Sequence, residues 1–146
     1  MVGSPHVRLV EELSVPECWR HVAGARQARV ALTHRALPVV LPVEYGLLDR
    51  CLVVRTSTGS WFGRSLTGVV VAVEVDGWDH TAGSGWSVLI VGEGVEITEG
   101  AERARAMLLD LDPWTTDPAE DRFVRISTRT VSGRRTRRVG PDAPRP

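Results

Sequence analysis

The residues best suited to chemistry lie in one run, Val54-Arg55-Thr56-Ser57-Thr58-Gly59-Ser60-Trp61. It brings a guanidinium, four hydroxyls and a glycine to the point where a β-rich stretch gives way to a helical one. Helix-start amides, hydroxyl donors and a fixed positive charge are the parts from which proteins build anion sites. Ser, Thr and Gly are equally the residues of an ordinary polar turn. The run alone is compatible with either.

Composition narrows the chemistry. Lys and Arg together number 18, and every one of them is Arg. A Schiff-base lysine and a P-loop lysine are therefore excluded, and any phosphate falls to Arg, hydroxyls or backbone amides. Cys18 and Cys51 have neither C-x-x-C spacing nor a nearby His pair, so reduced thiols are expected and no metal site. Asp76, Asp79 and His80 read as a solvated loop. His6, His21 and His34 are scattered and do not suggest a hydrolytic triad. Gly92-x-Gly94 lacks a third glycine and reads as a strand bend. The Arg134, Arg135, Arg137 and Arg138 run carries no aromatic residues in a chain of net charge zero, so a solvated tail is expected and not a nucleic-acid contact. Of the five Trp, Trp61 and Trp86 are the candidates for a site, the others for core or dimer packing.

The elements that must position these groups follow from patterning. A chain of 146 residues with 42% apolar and 25% charged residues is one globular domain. Its longest apolar runs fall far short of the roughly 20 residues of a bilayer span, and the N-terminal stretch does not read as a secretion signal, so a cytoplasmic location is expected. Ser14-Val15-Pro16-Glu17 has the form of a capping box and predicts a helix from Val15 to Gly24. Strands are expected over Ala28–Leu32, Pro38–Tyr45, Cys51–Thr56, Gly68–Asp76, Trp86–Thr98 and Asp121–Val131. Pro42 should mark an edge, a bulge or a place where a ligand replaces a strand. Leu48-Asp49-Arg50 reads as a hairpin turn, Gly77–Gly85 as a polar loop, Ser57–Leu66 as a turn opening a short helix, and Glu99–Leu109 as a further helix. Residues 1–12 are expected as an extension and the residues from Gly133 onward as a loose basic tail. The sum is a mainly β domain, a six-stranded antiparallel barrel of split, Greek-key type with flanking helices.

Several blocks in this order, Pro42-Val43-Glu44-Tyr45, Val54-Arg55-Thr56 with Gly59-Ser60, Val73-Glu74-Val75-Asp76, Ser84 to Leu89, and Phe123-Val124-Arg125-Ile126 with Ser132-Gly133-Arg134-Arg135, resemble the pyridoxamine 5′-phosphate oxidase-like, FMN-binding split-barrel proteins. The resemblance spans about Leu13 to Arg135. It implies a homodimer with two FMN sites in grooves between the subunits and the work of a flavin-dependent oxidoreductase. Pro42, Val43, Glu44 and Tyr45 would lie along the isoalloxazine ring. Thr56, Ser57 and Ser60 would donate to the phosphate while Arg55 supplies charge, and Trp86 would approach from the partner chain. The chain has Glu44 where the family commonly has Asn, and Trp61 where it has a basic residue; Arg64, one turn on, is the expected replacement cation. The alternative within the same fold is a non-catalytic module that has weakened or lost FMN, or that holds haem or a deazaflavin.

Overall fold

A computed structural model describes residues 7–57, 59–112 and 121–140. Seven strands and three helices follow one another as β1 (Val7–Leu13), α1 (Val15–Gly24), β2 (Gln27–His34), β3 (Leu37–Leu48), β4 (Cys51–Ser57), α2 (Trp61–Leu66), β5 (Val70–Asp79), β6 (Ser84–Ile97), α3 (Gly100–Met107) and β7 (Asp121–Val139). No helix among the described residues is long and apolar enough to cross a membrane.

All pairings are antiparallel, in the order β1-β7-β4-β3-β2-β5-β6, and a further β7–β6 pairing closes the sheet on itself. Strands β2 to β7 thus form the expected six-stranded barrel. The seventh strand corrects the reading of both ends. Residues Val7–Glu12, taken as part of an extension, and Leu13 pair with Gly133–Val139, taken as a loose tail. Backbone pairing explains this where composition suggested solvation: Glu11 accepts from Arg135 at 2.8 Å and from Arg137 at 3.4 Å, so the Arg run faces acidic residues across the ladder. The tail's last residues, 141–146, lie outside the described residues.

The two hairpins at Arg35-Ala36 and Asp49-Arg50 place both central residues at positive φ, the turn geometry that matches the twist of flanking strands. The expected polar loop is shorter than the composition suggests, because β5 runs on to Asp79 and β6 starts at Ser84. Asp79 Oδ1 accepts from the Thr81 and Ala82 amides at 2.9 Å each, which closes that turn. The β6–β7 register shifts between Val91 and Gly92, where Arg129 of β7 is the extra residue, and a Cβ at Gly92 would overlap the Ser127 carbonyl.

Alternation along each strand sends Val30, Leu52, Val54, Val73, Val75, Val88, Ile90, Val124 and Ile126 into the barrel interior, all at or near zero exposure. Helix α1 covers one end with Cys18 and Val22. Its start is the expected capping box: Ser14 Oγ accepts from the Glu17 amide, and Glu17 Oε2 accepts from the Ser14 amide at 2.8 Å. A second, smaller core of Val53, Ile97, Ala106, Leu111 and Phe123 lies outside the barrel, beneath α3.

The barrel is split on one side. β3 is paired to β2 from Leu37 to Glu44, but its pairing to β4 begins only at Tyr45 opposite Val54. Pro42 therefore sits in a half-strand bonded along one edge only, as a residue without an N–H donor requires.

Candidate functional site

The unpaired half of β3 and the β4–α2 corner border the split. At the corner, Ser60 is the N-cap of α2, its Oγ accepting from the Gly63 amide at 3.0 Å. The same hydroxyl donates to the Ser57 carbonyl at 2.9 Å, and Thr56 Oγ1 lies 3.0 Å from it. Since the single Ser60 proton goes to Ser57, Thr56 is the donor in that pair. Thr56 and Ser57 are buried. The hydroxyl protons of Thr56 and Ser60 thus build the corner itself, a use that residue type alone did not reveal.

What the corner still offers are the amides of Trp61 and Phe62, which as the first residues of α2 have no acceptor within the helix, and the Arg64 guanidinium, which donates to the Gly59 carbonyl at 2.8 Å. No acidic residue occurs between Arg55 and Arg64. Two first-turn amides without an acceptor in the helix and one cation fit a phosphate group.

Arg55 does not join this set. Its guanidinium donates to the Leu111 carbonyl at 2.9 Å and to Asp121, and lies 5.7 Å from the Phe123 ring. β4 continues through Ser57, so the period of two sends Thr56 into the barrel and Arg55 beneath the segment that follows α3. The expectation that both converge on one anion overlooked this alternation.

Along β3 the same alternation divides the four expected ring contacts. Val43 and Tyr45 are buried core residues, and the Tyr45 hydroxyl donates to the Val22 carbonyl at 2.6 Å. Burial pushes that phenol up to about 12. Pro42 and Glu44 face outward, with Glu44 held by Arg26 at 2.6 Å.

Trp61 is 39% exposed and lies with its ring 4.6 Å from His34, whose Nδ1 is 2.9 Å from Ser65 Oγ. Trp86 is elsewhere. It stacks on His21 at 4.2 Å with ring planes 22° apart and packs over Gly77, its register partner, where a Cβ would come within 2.5 Å of the indole nitrogen. A cavity of about 700 Å³ opens beside it, lined by Glu11, His21, Trp78, Arg135 and Thr136 among others. Thr136 Oγ1 is buried there without a partner. Burial, reinforced by the charge of Arg20, pushes His21 below the usual imidazole value, so the ring against Trp86 is neutral at neutral pH. The sequence sets His21 aside as one of several scattered histidines because its contact with Trp86 lies far along the chain; its one local signal is a place one helical turn after Glu17.

Comparison with known proteins agrees with this fold. A model of the pyridoxamine 5′-phosphate oxidase family matches residues 14–135. The chain belongs to that family. Among relatives by sequence is an uncharacterized protein of Mycobacterium tuberculosis, 34% identical over 131 residues, covering 86% of this chain and 85% of the relative. Among solved structures, the FAD binding protein from Mycobacterium smegmatis is 26% identical with a TM-score of 0.74, over 86% of this chain and 98% of the other. A FAD-binding protein of Mesorhizobium loti is 27% identical with a TM-score of 0.72, over 89% and 98%. The matched span of the oxidase family takes in the β3 half-strand, the β4–α2 corner and Trp86.

Proposed function

We propose that the protein is a flavin-nucleotide-binding split-barrel protein, a homodimer that works as an oxidoreductase with FMN in grooves between its two chains. The observation that carries this reading is the split itself: a half-strand with a free edge beside a corner that combines the first-turn amides of α2 with Arg64. The FAD-binding names of the two related structures support a flavin as the ligand.

A bound flavin supplies the electron or hydride chemistry, which side chains alone do not provide. The chain's own residues hold and tune it. The Trp61 and Phe62 amides and Arg64 grip the terminal phosphate. Pro42 and Glu44 border the ring, and Glu44, fixed by Arg26, offers an acceptor at the ring edge.

The second chain is needed for Trp86. On β7, Asp121 stands opposite Ser57 of the corner, whereas Arg135 stands opposite Trp86. That separation is roughly 45 Å of strand, too far for one ring system to touch both ends within one chain. A copy related by two-fold symmetry can bring its Trp86 to the other's corner. A cross-strand row of Val40, Ala31, Ala72 and Val91, bordered by exposed Val70 and Leu89, gives the two chains a flat apolar face to share.

Titration of the purified protein with FMN, read by visible absorption, tests the reading. Flavin bands that stay with the protein and are bleached by a nicotinamide reductant support it. A protein that ignores added FMN is instead a non-catalytic module of the same fold, and the oxidoreductase reading falls.

A further inference from the structure

We propose that Glu44, positioned by Arg26, recognises the flavin ring by its imide N–H, the one hydrogen-bond donor on the edge of the oxidised ring. This role rests on the flavin reading above and deepens it, from which residues border the ring to which edge of the ring they accept.

Glu44 closes the half-strand of β3 that β4 leaves unpaired, directly before Tyr45, where the β4 ladder begins. Its side chain faces away from the core and is nevertheless only 19% exposed, so the carboxylate is sheltered beside the split. Oε1 accepts from the Arg26 guanidinium at 2.6 Å, and Oε2 has no hydrogen-bond partner among the described residues.

Arg26 holds this end of the half-strand by backbone and side chain together. Its carbonyl accepts from the Tyr45 amide at 2.9 Å, and its guanidinium spans from Glu44 to the Asp110 carbonyl at 3.3 Å. The Arg26 side chain is 65% exposed, and an ion pair with so exposed a cation contributes little to stability. What the pair does is aim the second carboxylate oxygen. A group held in one direction before its ligand arrives loses little freedom on binding.

The chemistry of the carboxylate selects the edge. It only accepts, and so do the two carbonyl oxygens and the two unprotonated nitrogens of the oxidised ring. The free oxygen therefore gains at the imide N–H and is repelled at the other polar positions. Haem has no N–H donor on its edge and brings carboxylates of its own, so Glu44 opposes it. A deazaflavin keeps the imide and is accepted as a flavin is.

The test compares FMN with 3-methyl-FMN, in which a methyl group replaces the imide hydrogen, by isothermal titration on the purified protein and on Glu44→Leu, Arg26→Ala and Arg26→Lys variants. The wild type should bind FMN about tenfold or more tighter than the methylated ring, the scale of a hydrogen bond to a charged group. Glu44→Leu keeps the bulk and loses the acceptor, and should bring the affinities within about twofold of each other. Arg26→Ala should shrink the preference at least about threefold, and Arg26→Lys, which keeps a cation beside Glu44, should retain it. Equal affinity of the wild type for FMN and 3-methyl-FMN would overturn the recognition of the N–H and leave the flavin reading standing. A Glu44→Leu protein that still preferred FMN would mean that bulk alone excludes the methyl group, and would overturn it as well. An unchanged preference in Arg26→Ala would overturn the positioning role of Arg26. Binding of neither ligand would overturn the flavin reading together with the role of Glu44.

Discussion

Arg55 and Thr56 are consecutive residues of β4, yet the Arg55 guanidinium pairs with Asp121 beneath the chain that follows α3, while the Thr56 hydroxyl lies 3.0 Å from Ser60 in the corner. One strand step separates a residue of the outer core from one of the candidate site. Arg55 therefore ties β4 to β7, and the charge of the corner comes from Arg64.

Replacing Asp121 by Asn removes the charge that faces Arg55, whose side chain is only 23% exposed. Stranding a largely buried guanidinium costs about 3 kcal/mol. Denaturant unfolding should show that loss, and the folded fraction should bind flavin as the wild type does. Weakened binding by folded protein would return Arg55 to the site.

Arg64→Ala removes a charge-assisted contact worth about 1.5–3 kcal/mol, so FMN affinity should fall at least about tenfold. Riboflavin, which lacks the phosphate, serves as the control and should bind both proteins equally. Equilibrium dialysis measures each pair, and unchanged FMN affinity would remove Arg64 from the phosphate site.

Tyr45 makes stability depend on alkaline pH. Burial raises its folded value to about 12, above the roughly 10 of an exposed phenol, so the folded protein holds a proton that the unfolded chain releases. Its contribution is complete below about pH 10 and is lost as pH rises toward about 12. Tyr45→Phe should cost about 1 kcal/mol at neutral pH through the lost bond to Val22 and should flatten the alkaline decline. Urea midpoints measured across that range compare the two proteins.

Ala72→Arg tests the shared face. Ala72 lies between Ala31 and Val91 in the cross-strand row, so a guanidinium there puts a charge into the middle of the proposed apolar interface. Sedimentation should show monomers that remain folded by circular dichroism and have lost flavin affinity. A dimer that persists would move the interface elsewhere.

The barrel was legible wherever a local rule sufficed. Alternation gave β2 and β5, and the Ser14–Glu17 box gave α1 to the residue. The corner was legible as a place. What escaped depends on partners distant in sequence. Nothing near Arg135 announces that Glu11 will neutralise it, so β1 and the end of β7 read as loose ends. Trp86 on His21 is a contact across more than half the barrel's strands, and composition carries no trace of it. Hydroxyl direction was equally hidden, because Ser60 as donor and as helix cap is the same residue until its neighbours are placed.

The central claim is that a flavin nucleotide is held between two copies of this chain. Gel filtration of the protein mixed with excess FMN or FAD, with light scattering for mass and absorbance in the visible flavin band, addresses it directly. The account predicts flavin absorbance that travels with a species of twice the chain's mass, one flavin to each chain. A colourless dimer, or flavin carried by a monomer, would contradict it.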